Sequence, residues 1–135
     1  MSSRLSFNSM TADRWPLADV IDACAEHGIE WIGPWRHKVA EIGVEEARRR
    51  IDAAGLKVSS LCRGGFFAAE NADEDNRRAV EEAAALGTDA LVLVCGPPAT
   101  KDLAVARDTI ERGIEQLLHT PTSSASGWGS SRCTR

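Results

Sequence analysis

The chain has 135 residues, 43% hydrophobic and 27% charged, with a net charge of -4 from 20 acidic and 16 basic residues. That length suits one domain with its own core and leaves no room for two. No apolar run approaches the ~18 residues of a membrane-spanning helix, and the basic residues are scattered apart from Arg48-Arg49-Arg50, which argues against a partner held mainly through nucleic-acid phosphates.

Met1 to Met10 has no signal-peptide core, so a cytoplasmic protein is expected. Arg4 to Asn8 alternates polar and apolar residues as a first strand would, with Asn8 at its end. A helix is predicted from Pro16. Leu17, Val20, Ile21 and Cys24 line its buried face, and Gly28 closes it. Ile29 to Gly33 reads as the second strand, and Pro34 to Lys38 as a loop, because proline cannot continue a central ladder.

The second long helix carries Val44, Ala47, Ile51 and Ala54 inward and closes on Gly55, with the arginine run on its solvated face. Leu56 to Phe67 is the third strand, ending in Arg63 and a glycine pair. Ala68 to Asp75 is predicted as irregular, with Asp73 capping a helix that runs through Val80, Ala83 and Leu86 to Gly87. Asp89 to Cys95 is the most continuous apolar run, as a parallel strand covered on both faces requires. Gly96-Pro97-Pro98 breaks it and lacks the glycine spacing of a phosphate loop. Thr100 is the expected cap of a last helix with Leu103, Ala106, Ile110 and Leu117 inward.

Cys24, Cys62, Cys95 and Cys133 lack C-x-x-C spacing, so neither a zinc knuckle nor a disulfide framework is indicated. Cys24 is expected in the core. Cys62 and Cys95, at strand ends, are expected as small buried hydrophobes unless they face a pocket. His27 and His119 fall at helix C-termini, where a cation meets the dipole favourably and no functional role is needed.

Four strand and helix units in strict alternation predict an α/β fold with a parallel sheet and right-handed crossovers. An open doubly wound sheet and the first half of an eight-stranded barrel both satisfy the pattern, and both put ligands at the C-terminal ends of the strands. That rule selects Asn8, Trp35 to His37, Cys62-Arg63 and Cys95-Gly96.

From His119 to Arg135 serine and threonine supply eight of seventeen residues and the apolar period stops. An unstructured tail accounts for this. So does a change of reading frame: shifted by one base, with admissible wobble positions, the segment from His119 can read H-A-D-E-L-G-V-G-L-G-I-E-P-L-H-P, again a helix end, a glycine, a strand and a strand-end carboxylate. The glycine across Trp128 and Gly129 is forced, since tryptophan has a single codon. Residues 1–118 are thus expected to hold the regular strand and helix units, and 119–135 to be an unstructured, frameshifted tail.

Gly28-Ile29-Glu30-Trp31-Ile32-Gly33-Pro34-Trp35-Arg36 and Val58 to Phe67 resemble the first units of the xylose isomerase-like TIM barrels, a family of sugar phosphate isomerases and epimerases that includes the endonuclease IV type of repair enzyme. The resemblance runs from about Arg4 to Leu118. It implies a divalent metal (Mn, Mg or Zn) and metal-assisted proton transfer between adjacent carbons of a sugar or sugar phosphate. The implied metal ligands lie on later strands, so no metal ligand and no catalytic residue is assigned within these 135 positions.

Substrate contact is what this half is expected to supply. Arg63 either grips a phosphate or carboxylate with its planar fork or pairs with a rim acid such as Glu30. Trp35 is a wall for a sugar ring or a packing residue, and Arg36 a second anion ligand. His37 is a hydroxyl donor, an acid or base, or a solvated loop residue. Phe66 and Phe67 line the mouth or fill the core. Two further readings remain: a non-catalytic half-barrel that forms a homodimer through open sheet edges, and a DNA-repair protein, which the acidic balance disfavours.

Overall fold

Helices closed by Gly28, Gly55 and Gly87 return the chain to the same side of a parallel sheet. A computed structural model describes residues 4–121. In chain order the elements are β1 (Ser6–Asn8), α1 (Leu17–Glu26), β2 (Trp31–Gly33), α2 (Arg36–Ala40), α3 (Val44–Ala53), β3 (Lys57–Val58), β4 (Leu61–Gly65), α4 (Ala72–Leu86), β5 (Leu91–Val94) and α5 (Leu103–Leu118), with a 3-10 turn over Ser9–Ala12.

All pairings are parallel. Phe7, Ile32 and Val58 stand side by side across β1, β2 and β3, and Leu61 opens the pairing of β4 with β5 opposite Leu91. Ile32, Val58 and Leu61 turn toward the helices and meet Leu17, Val20, Ile21 and Cys24 of α1, Ala47 and Ile51 of α3, and Ala83 and Leu86 of α4. Each fully buried Leu or Ile there contributes about 1.5–3 kcal/mol.

The third strand is broken in two. Val58 belongs to the ladder of β2, and β4 to that of β5. Continuity is kept by the Cys62 N–H, which donates to Pro34 O at 3.1 Å, and by a parallel bridge between Trp35 and Cys62. Against β5 the register slips between Cys62 and Gly64, which leaves Arg63 as the extra residue of a bulge, a device that re-aims one side chain.

Several expectations are corrected. Residues 36–38 are not loop but the start of α2, because Trp35 is extended and begins a helix whose Lys38 is buried, bonding Asp13 O at 2.9 Å and the carboxylate of Glu41. The fourth helix starts at Ala72 after Asn71, so Asp73 sits inside its first turn rather than capping it. Asp102, not Thr100, caps α5: its Oδ1 accepts from the N–H of Ala104 at 2.9 Å.

Strand β5 is not covered on both faces, since Val92 and Val94 are 42% and 40% exposed. Leu103 is exposed, while Ala106, Ile110 and Leu117 are half-buried. Cys95 is exposed rather than packed, and Cys62 is half-buried. The expected tail lies almost wholly outside the described residues, which include only its first three positions.

Candidate functional site

The C-terminal ends of β2 and β4 open into a cleft of about 510 Å³, lined among others by Met10, Trp35, His37, Cys62, Arg63, Phe66 and Asp75. Its rigid wall is Trp35. The residues that end β1 hold it: Asn8 Oδ1 accepts from the indole Nε1–H at 2.9 Å, and Ser9 Oγ, fully buried, accepts from the Trp35 backbone N–H at 3.0 Å. Asn8 Oδ1 also accepts from the Met10 N–H at 2.9 Å. Asn8 therefore stands behind the wall and does not line the cleft.

His37 meets the Trp35 ring edge-on with centroids 6.0 Å apart, and its Nε2 lies 2.7 Å from Asp13 Oδ1. The bond to His37 holds the Asp13 carboxyl below its usual range. Lys38, next along α2, turns away from the cleft into the core, so adjacent cations serve different ends.

Arg36 is taken up by α4. Its Nε donates to Glu82 at 2.5 Å, its two terminal nitrogens fork onto Asp75 at 2.9 and 3.0 Å, and it reaches Arg63 O at 3.4 Å. Burial works against the charge, but Glu82 and Asp75 outweigh it and raise the Arg36 pKa. The bond from Arg36 likewise depresses the Asp75 carboxyl against the opposing effect of burial. Its fork is thus committed to bracing α2, α4 and β4.

Arg63 is differently placed. Its guanidinium carbon lies 4.1 Å from the Phe66 ring centre and 5.9 Å from that of Trp35. Among the described residues it has no carboxylate within ion-pair distance, Glu30 included. Phe66 is held at φ +50°, its N–H donating to Val94 O at 2.7 Å. Gly96 leaves room for its ring, since a Cβ there would come within 2.7 Å of Phe66 Cδ1. Phe67 is buried instead, against Gly113 of α5. Burial raises the Cys62 thiol, partly offset by Arg63.

Sequence reasoning missed Asn76. Buried on α4, it accepts from the Gly65 N–H at 2.6 Å and donates to Gly65 O at 2.8 Å, fixing the turn from which Phe66 is presented. Only its spacing on the apolar face of α4, three residues before Ala79 and four before Val80, signalled burial.

Parallel strand and helix units with a cleft at the strand C-termini define an α/β protein of the doubly wound or the (β/α) barrel class. The xylose isomerase-like TIM barrel family matches residues 21–121. The crystal structure of protein SMc04130 from Sinorhizobium meliloti 1021 superposes with a TM-score of 0.80 at 47% identity, over 86% of this chain and 46% of that one. The chain belongs to the xylose isomerase-like TIM barrel family and spans about half the length of that structure. No curated protein matches it.

Members of this family generally use a divalent metal. The residues present do not fit one: His37 is engaged by Asp13, Asp75 by Arg36, and no three His, Cys, Asp or Glu side chains among the described residues are placed to hold an ion. No described helix is long and apolar enough to cross a membrane.

Proposed function

We propose that residues 1–118 are the N-terminal half of a sugar isomerase or epimerase barrel, and that their cleft holds one end of a small sugar or sugar-derived substrate. One observation carries this reading: an immobilised indole and an unpaired guanidinium face the same cleft at the strand C-termini. Indole faces pack against the C–H surface of a sugar ring, while a guanidinium fork addresses its polar end. Trp35 and Phe66 supply the apolar surface and Arg63 the polar grip. Arg36 and Asn8 act behind them. Moving the proton, and holding the metal that assists it, is assigned to none of the described residues.

The test is aldose–ketose interconversion with Mn or Mg, run on this chain beside one whose reading frame is restored from His119. Activity is expected with the restored chain only. Turnover by the 135-residue chain alone would overturn the assignment.

The exposure of Val92 and Val94 at one end of the strand order, with β1 at the other, supports a second reading, a non-catalytic half-barrel that pairs with a second copy through its open edges. Light scattering behind size exclusion separates the two, because a folded monomer at micromolar concentration would sink the pairing.

A further inference from the structure

We infer that the ligand of this cleft carries a single carboxylate, and that Arg63 receives it edge-on through two parallel N–H···O bonds. The inference rests on the cleft reading above and specifies its charge and its head group.

Four arginines of the described chain are half-buried: Arg36, Arg48, Arg50 and Arg63. The first three are satisfied, Arg36 by Asp75 and Glu82, Arg48 by Asp52 and Leu86 O, and Arg50 by Glu46. Arg63 alone has neither a carboxylate nor a hydrogen-bond acceptor among the described residues. A guanidinium has five N–H donors and no acceptor, and Arg63, half-buried in the cleft lining, gives none of them to another described residue. Those donors are available to a ligand.

What arrives is restricted by shape and by charge. One face of the guanidinium lies over Phe66 at 4.1 Å, with Trp35 at 5.9 Å, so its in-plane edge is what remains to be offered. A planar fork of that kind matches a planar carboxylate bidentately. The left-handed backbone of Phe66 and the Gly96 space beneath it hold this platform in a conformation that a non-glycine residue rarely adopts, and such outliers cluster at ligand clamps.

The other charges of the cleft are already matched. Asp75 and Glu82 are shared by Arg36 and by Arg78, which lies 3.6 and 3.5 Å from them, and Asp13 stands at the rim with His37. Arg63 is therefore the one cation of the cleft lining with no carboxylate within ion-pair distance among the described residues, and an ionised Asp75 stands in the same lining. A second negative charge on the ligand would face Asp75 without a partner. A monoanionic hydroxy-acid or keto-acid of the sugar series fits this balance, and a dianionic sugar phosphate does not.

The probes are three acyclic six-carbon compounds, D-gluconate, D-glucitol and D-glucitol 6-phosphate, titrated calorimetrically into the 135-residue chain and into Arg63→Gln and Arg63→Lys. Gluconate is expected to bind about 10-fold or more tightly than glucitol, as a charge-assisted pair provides, and more tightly than the phosphate. Arg63→Gln should lower gluconate to the glucitol level, and Arg63→Lys should recover only part of the loss. Matched thermal melts check that both variants fold, and if neither does, Phe66→Leu, expected to weaken gluconate selectively, replaces them. Equal binding of glucitol and gluconate, tighter binding of the phosphate, or indifference to Arg63→Gln or Phe66→Leu overturns the inference while leaving the cleft reading in place. No binding of any of the three, with no effect on Trp35 emission, overturns both.

Discussion

Replacing Asn76 with alanine removes both bonds to Gly65, the 2.6 Å acceptance and the 2.8 Å donation, in a site where the side chain is 3% exposed. Each buried backbone group left unpaired costs about 1–3 kcal/mol, so Asn76→Ala, which strands two, should destabilise the fold by roughly 2–6 kcal/mol. At this chain length about 3 °C accompanies each kcal/mol, which gives a fall in Tm of roughly 6–18 °C by circular dichroism. Asn76→Asp discriminates further. It keeps an acceptor for the Gly65 N–H but sets a carboxylate oxygen against Gly65 O, so at pH 7 it should be worse than alanine. It should recover relative to wild type as the pH falls and the buried carboxyl regains a proton to donate. A fall in Tm under about 3 °C for Asn76→Ala would refute the reasoning, because it corresponds to less than one unpaired buried group.

Glu41 accepts from Lys38 and, at 3.0 Å, from the Leu17 N–H at the start of α1, and the bond from Lys38 holds its carboxyl below the ordinary 4.5. Its stabilisation is therefore present above pH 4.5 and lost as the pH falls through the depressed value. Glu41→Gln should cost about 1–2 kcal/mol at pH 7, after allowance for solvent screening, and nothing once both carboxylate and amide are neutral in acid, as read by urea melts at both pH values. Gly96→Ala should cost about 1–3 kcal/mol, because φ is +75° and the new Cβ would meet the Phe66 ring at 2.7 Å. Gluconate binding should weaken with it. Asn8→Ala frees the Trp35 indole N–H, and in a chain with the other three tryptophans replaced by phenylalanine the emission of Trp35 should change and its quenching by iodide increase, at a cost of about 1 kcal/mol.

Much of the scaffold was legible because its signals are local. Leu17, Val20, Ile21 and Cys24 repeat at helical spacing and are all buried. Gly28, Gly55 and Gly87 adopt the positive φ that closes each helix. The strand-end rule then led to the cleft. What escaped was set by contacts distant in sequence. Pro34 does end β2, but Lys38 is drawn into a helix by Asp13, 25 residues earlier, which no local pattern announces. The cap of α4 was misplaced by two residues, Asp73 for Asn71, because three acids in the first turn all satisfy the dipole, and composition does not choose among them.

At the site the same division holds. Trp35, Arg36, His37, Arg63 and Phe66 were placed at strand ends and do line one cleft. The commitment of Arg36 to Asp75 and Glu82, 39 and 46 residues away, separated it from Arg63, which is chemically identical. Asn76 gave no motif because its partner is backbone. The apolar run at β5 implies burial on both faces, and the exposure of Val92, Leu93 and Val94 shows that neither face is fully covered among the described residues.

The central claim is that ligand binds at the strand C-termini between Trp35 and Arg63, and amide chemical-shift mapping of the chain during a gluconate titration tests it most directly. The account predicts saturable shifts at Gly33 to His37 and Cys62 to Phe67, with Trp31 and Lys57 at the opposite strand ends silent. Shifts confined to those opposite ends, or to the hollow between Cys95 and Ile110 along α5, would contradict it.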